Sequence, residues 1–238
     1  MTFDSVVTVG DSWTWGADLT DYDREQHIFP ILVARHFDLP LTNLGICSAT
    51  NFNYKWRMLE WFNQNPGRRP LVVVGVTSPL RLLIYDNTQR GFQDPMHFIL
   101  EDQARFPNVC GGTKLGGYVG IQLADPHSRK PYSDLGEVGK NYVIYQLDDE
   151  LRDVEIASIW EILFLNTLIK QQGGQAVFWT NLYDFTLHTN KFFGPWFESI
   201  SCVNNLQRLE NGRFMNHPTV EQHAIFAQAI IDQIALTL

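Results

Sequence analysis

Val6-Val7-Thr8-Val9-Gly10-Asp11-Ser12-Trp13-Thr14-Trp15-Gly16 is the stretch whose reading decides the fold. Its first four residues are all β-branched, the pattern of a short strand buried in a parallel sheet. Glycine then lets the backbone turn sharply, which leaves Ser12 just beyond the strand's carboxyl end. That edge is where open α/β sheets hold their ligands. Two readings compete here. Ser12 is a hydroxyl presented for chemistry, or Asp11 or Ser12 is only a helix N-cap. The choice depends on whether the rest of the chain supplies a base and an anion site.

Working outward, the same rhythm of strand, glycine and helix recurs. Phe3 to Val9 reads as the first strand, followed by an acidic loop with Asp18, Asp21, Asp23 and Glu25. Phe29 to Phe37 reads as a helix with Pro30 in its first turn, and Pro40 stops it. Leu41 to Gly45 reads as a second strand, and Tyr54 to Asn63 as a helix carrying Trp56, Leu59 and Phe62 in helical spacing. Leu71-Val72-Val73-Val74-Gly75-Val76 is the clearest buried run. Asp149 to Gln172 is a long amphipathic helix closed by Gly173-Gly174. Gln175 to Thr180 is a further strand, and Thr219 to Leu236 a final helix. This alternation predicts an α/β fold with a mainly parallel central sheet. Residues 80–149 break the rhythm, with Gly111-Gly112 and Gly116-Gly117 but weak periodicity, and read as an insertion that shapes the site's rim. No Gly-Lys-Ser/Thr follows these glycines, so they do not form a phosphate loop.

Composition bounds the function. The chain has 238 residues, 45% of them hydrophobic and 18% charged, with a formal net charge of −8. That length suits one large domain or two small ones. An acidic chain without a basic run argues against a nucleic-acid partner, which needs clustered Lys and Arg. No window approaches the roughly 18 apolar residues of a membrane span, and the N-terminal residues lack the basic and apolar regions of a signal peptide. Cys47, Cys110 and Cys202 are odd in number and lack metal-ligand spacing. The expectation is a soluble cytoplasmic protein without a metal or cofactor.

A serine hydroxyl becomes a useful nucleophile only when a nearby base takes its proton. His27, His97, His127 and His188 lie in polar stretches without a supporting pattern. His36 lies near a helix C-terminus, where its charge suits the dipole, and His223 lies inside the last helix as a packing or surface residue. His217 differs because Pro218 follows it. Proline marks a helix start and keeps the preceding residue extended, so His217 is held at the lip of the final helix, on the strand-end side of the sheet. A helix-entry histidine without a chemical role fits the same pattern. His217, Glu221 and His223 do not share the helix face that a metal cluster needs. The Gly-x-Ser-x-Gly elbow of the α/β-hydrolases is absent, because Trp13-Thr14 follows Ser12. Trp13, Trp15, Trp179 and Trp196 fall near strand ends, as core residues or as a stacking platform.

Gly10-Asp11-Ser12, Gly45 after the second strand, Gly75 after the third and His217-Pro218 before the last helix together resemble the SGNH (GDSL-type) hydrolase family. Their order spans essentially the whole chain. The resemblance implies one three-layer α/β/α domain over residues 1–238, with the sheet in a flavodoxin-like arrangement. It implies Ser12 as nucleophile, His217 as base and the N–H groups of Ser12 and Gly45 as oxyanion donors. It further implies esterase or deacetylase chemistry without a cofactor, on a small-molecule ester such as an acylated sugar. Two positions depart from the family pattern. Thr77 stands where an oxyanion asparagine is usual, leaving its hydroxyl, with Asn51 or Asn53, as the further donor. Phe214 stands where an aspartate usually precedes the histidine by three residues, leaving Glu210, Asp184 or a backbone carbonyl to orient the ring. Two functions fit: a serine hydrolase working through an acyl-enzyme, or a non-catalytic module that binds a small molecule or carbohydrate on the same scaffold.

Overall fold

The structure is a computed structural model that describes residues 2–46, 49–77, 81–85, 118–122, 152–180, 202–203 and 217–237. In chain order the strands are β1 (Ser5–Val9), β2 (Leu41–Asn43), β3 (Pro70–Val76), β4 (Arg81–Tyr85), β5 (Tyr118–Gln122), β6 (Gln175–Thr180) and β7 (Cys202–Val203). The helices are α1 (Ser12–Trp15), α2 (Asp21–His27), α3 (Phe29–His36), α4 (Asn51–Gln64), α5 (Arg152–Gln171) and α6 (Val220–Thr237). Among the described residues five strands form one sheet in the order β2-β1-β3-β6-β7, every neighbouring pair of them parallel.

The apolar runs build two cores because successive strand side chains point to opposite faces. Val6, Leu71, Val73, Val177 and Trp179 face one side, where they meet Trp13 of α1, Phe29 and Val33 of α3, and Phe226 and Ile230 of α6. Val7, Val72, Val74 and Phe178 face the other, against Tyr54 and Met58 of α4 and Ile162 and Leu165 of α5. The result is the three-layer α/β/α architecture expected from the sequence.

The chain leaves β1 for β2 on one side and then crosses to β3 on the other. The carboxyl ends of β1 and β3 therefore flank a topological switch point, the crevice in which open α/β sheets hold ligands. Ser12 follows β1 directly. Among the described residues, no helix is long and apolar enough to cross a membrane.

Several elements differ from the sequence reading. The acidic stretch is partly a helix, α2, whose N-cap Thr20 accepts from the Asp23 N–H at 3.1 Å. Asp21 and Asp23 sit in its first turn and Arg24 and His27 in its last, so these charges complement the helix dipole. Helix α4 begins at Asn51 rather than Tyr54, and β2 stops at Asn43. Within 80–149, β4 and β5 pair antiparallel as a separate two-stranded sheet; the rest of that segment lies outside the described residues. So do Cys47, Cys110, Trp196, Glu210, Asp184 and Phe214.

His223 is a core residue. It is fully buried, stacked on the Phe29 ring, and its Nδ1 accepts from the Phe29 N–H at 3.2 Å. Its Nε2 has no partner among the described residues. Burial pushes its pKa down from 6.5 to about 4. Between those values an unfolded chain takes up a proton that the folded protein excludes. The contribution is therefore complete above pH 6.5 and is lost as pH falls towards 4, at a cost of about 3 kcal/mol. Urea denaturation of wild type between pH 7 and pH 4 should show this loss. His223→Gln, which keeps an acceptor for Phe29, should show a correspondingly flatter acid limb.

Candidate active site

Helix α1 is a single turn wedged among the strand ends. Asp11 is its N-cap: Oδ1 accepts from the Trp13 N–H at 3.0 Å and Oδ2 from the Thr77 hydroxyl at 2.9 Å. Ser12 is the first helical residue, so capping and presentation of the serine coexist. Gly10, Gly45 and Gly75 are not among the positive-φ residues. They make room. A Cβ on Gly10 would collide with Thr14 Oγ1, one on Gly75 would lie 2.7 Å from the same atom, and one on Gly45 would lie 2.8 Å from the Trp15 nitrogen. The glycines at the carboxyl ends of the three strands let α1 sit close enough to the sheet to carry Ser12.

His217 faces Ser12. Its Nε2 lies 3.0 Å from Ser12 Oγ, within hydrogen-bond reach for a base and nucleophile. The turn before α6 supplies it, with buried Pro218 behind. Its other ring nitrogen, Nδ1, lies 2.5 Å from Asp18 Oδ2. None of the partners considered from the sequence was Asp18, which sits only six residues after the serine. The one signal in the sequence was an acidic residue in the turn that leaves α1.

The remaining expected donors are engaged within the protein. The Thr77 hydroxyl donates to Asp11, and the Thr77 N–H donates to Asn51 Oδ1 at 3.0 Å. Asn51 Nδ2 in turn donates to the Thr77 carbonyl at 3.0 Å and to Ser158 Oγ at 3.4 Å. Asn53 Oδ1 accepts from the Thr50 N–H at 2.8 Å and from the Thr50 hydroxyl at 2.9 Å, closing the start of α4. These bonds tie the ends of β3 and α4 together. Gly45 N–H donates to Asn43 Oδ1 at 2.9 Å, an oxygen that also accepts from the Thr8 hydroxyl at 2.9 Å. Asn43 Nδ2 donates to the Thr14 carbonyl at 3.1 Å. Asn43, which reads in the sequence only as the middle of a strand, thus fastens β1, β2 and α1 to one another. Among the described residues there is no group of three His, Cys, Asp or Glu side chains able to hold a metal ion.

The fold is of the SGNH, or GDSL, type. Over 99% of this chain and 100% of the other, it is similar to the crystal structure of TesA, with a TM-score of 0.53 at 9% sequence identity. A G-D-S-L family protein from Desulfitobacterium hafniense matches over 96% of this chain and 98% of its own, with a TM-score of 0.47 at 13% identity. An acetyl xylan esterase, Est2A, from the rumen bacterium Butyrivibrio proteoclasticus matches over 100% of this chain and 65% of its own, with a TM-score of 0.49 at 13% identity. At 9% identity the likeness to TesA speaks for the fold alone. No protein-family model matches the chain, and neither does any curated protein.

Proposed function

We propose that the protein is a serine hydrolase that cleaves an ester through an acyl-enzyme, with Ser12 as nucleophile and His217 as base. The observation that carries this reading is the 3.0 Å approach of His217 Nε2 to Ser12 Oγ at the switch point of the sheet. In the reaction, Ser12 Oγ bonds to the carbonyl carbon while its proton passes to His217. That proton then goes to the departing alkoxide as the ester C–O bond breaks. A water molecule, deprotonated by the same imidazole, attacks the acyl-serine and releases the carboxylic acid and the free serine.

The Ser12 N–H, at the start of α1, is the donor for the oxyanion in this reading. Gly45 N–H serves only by exchanging Asn43 Oδ1 for the substrate oxygen. Thr77 and Asn51 support the site by locking β3 to α4 rather than by donating to substrate. One domain of 238 residues carries the activity in this reading. A small-molecule ester is the substrate class, with an O-acetylated sugar the first to try.

A second reading, a binding module without chemistry, draws on the same engagement of Gly45, Thr77 and Asn51 by protein partners. Without donors stabilising the oxyanion, a site loses what is usually the largest catalytic contribution. A fluorophosphonate probe separates the two, because it needs an activated serine and no particular substrate. Wild type is expected to be labelled and Ser12→Ala to be blank. Absence of labelling in wild type, or equal labelling of both proteins, rejects the hydrolase in favour of the binding module.

A further inference from the structure

We propose that Asp18 is the positioning residue that orients His217, entering the site from the nucleophile's own loop; this rests on the reading of Ser12 and His217 as nucleophile and base. An ionised carboxylate has acceptors only, so the Asp18 contact requires His217 Nδ1 to carry the hydrogen. In the neutral imidazole, Nε2 is then the bare nitrogen, and it is Nε2 that faces Ser12 Oγ. The contact selects the tautomer that can accept the serine proton, and it compensates the imidazolium formed when that proton arrives.

The backbone is shaped for this contact. Gly16 caps α1 in the left-handed region at φ 83°, and two residues later Asp18 is itself left-handed at φ 66°. Among non-glycine residues, Asp and Asn tolerate that conformation best. Arg24 holds the turn on both sides of Asp18, its Nε donating to the Gly16 carbonyl at 3.3 Å and its Nη2 to the Leu19 carbonyl at 3.0 Å. Its guanidinium also lies over the Trp15 ring at 5.4 Å and pairs with Asp21. The segment from Asp11 to Asp18 thus holds an N-cap, a nucleophile and an acid, while the turn before α6 brings only the base.

Exposure sets the size of the effect. The Asp18 side chain is 67% exposed and that of His217 23%, so water competes for the carboxylate. Loss of the buried acid in serine proteases lowers kcat by about 10^4; a solvent-facing acid should contribute less, on the order of 10- to 100-fold.

The test uses Asp18→Asn and Asp18→Gly, both of which accept a left-handed backbone and so preserve the turn. With p-nitrophenyl acetate, both are expected to lose kcat by about 10- to 100-fold, with KM little changed and thermal melting as in wild type. Nitrogen-15 NMR of His217 supplies a readout independent of turnover. In wild type and in Ser12→Ala the neutral ring should carry its hydrogen on Nδ1, and in Asp18→Gly it should shift towards the Nε2–H form. Wild-type kcat in both Asp18 variants, or an unchanged tautomer in Asp18→Gly, overturns the assignment of Asp18. Loss of the hydrolase reading looks different: wild type is then neither labelled nor active, while the tautomer experiment still reports on Asp18.

Discussion

Replacing His217 by alanine is expected to lower kcat/KM for acetyl-ester hydrolysis by roughly 10^3-fold, within the range of general acid–base groups. Its Nε2, 3.0 Å from Ser12 Oγ, is the one basic atom on the serine among the described residues, and in the proposed mechanism it acts in both acylation and deacylation. Its contribution is made while protons move, so kcat and kcat/KM should fall together and KM should change little. The double variant with Ser12→Ala should be no slower than the worse single variant, because nucleophile and base act as one unit. Multiplicative losses would instead mean that the two residues serve separate steps. Steady-state kinetics on the four proteins decides between these outcomes.

The fold was legible because the strands are short β-branched runs that end in small residues. Gln175–Thr180 reads the same in sequence and structure, and alternate residues within the runs divide cleanly between the two cores. His217 was legible through Pro218, which fixes where the last helix starts. Asp18 was not. Its contact with His217 joins positions 199 residues apart and depends on a left-handed backbone that aspartate tolerates but does not require. Helix α2 was misread because an acidic cluster looks like solvated loop unless Thr20 is recognised as its cap. Thr77 lies just past the end of β3 as expected, whereas Asn51, read as a loop residue, opens α4, and side-chain direction is a property of packing. Their hydrogen bonds run to Asp11, Ser158 and each other's backbone or side chain.

The glycines carry the second large prediction, since the space they leave lets α1 pack against the strand ends. Gly45→Ala is expected to destabilise the protein by about 1–3 kcal/mol, the usual cost of overpacking, which lowers Tm by roughly 2–12 °C in a chain of this size. Gly67→Ala is the control: its Cβ would meet nothing within 4 Å, although φ there is +78°, so its cost is backbone strain alone and activity should survive. At Gly10 the collision is with Thr14 Oγ1, a buried hydroxyl without a partner among the described residues, so Thr14→Ala should recover part of the loss in Gly10→Ala. At Gly45 no such rescue exists. The added Cβ would lie 2.8 Å from the Trp15 nitrogen and 2.9 Å from the Thr14 carbonyl carbon, and backbone cannot be trimmed by mutation. Relief has to move α1 itself, and with it Ser12, away from His217. A displacement of about 1 Å at reacting atoms can cost on the order of 10^2 in rate. Activity in Gly45→Ala should therefore fall well below the fraction of molecules that remain folded. Thermal melts beside kinetics at a temperature below the variant's Tm would show this, and activity that merely tracks the folded fraction would mean the glycine supports stability and not the placement of the serine.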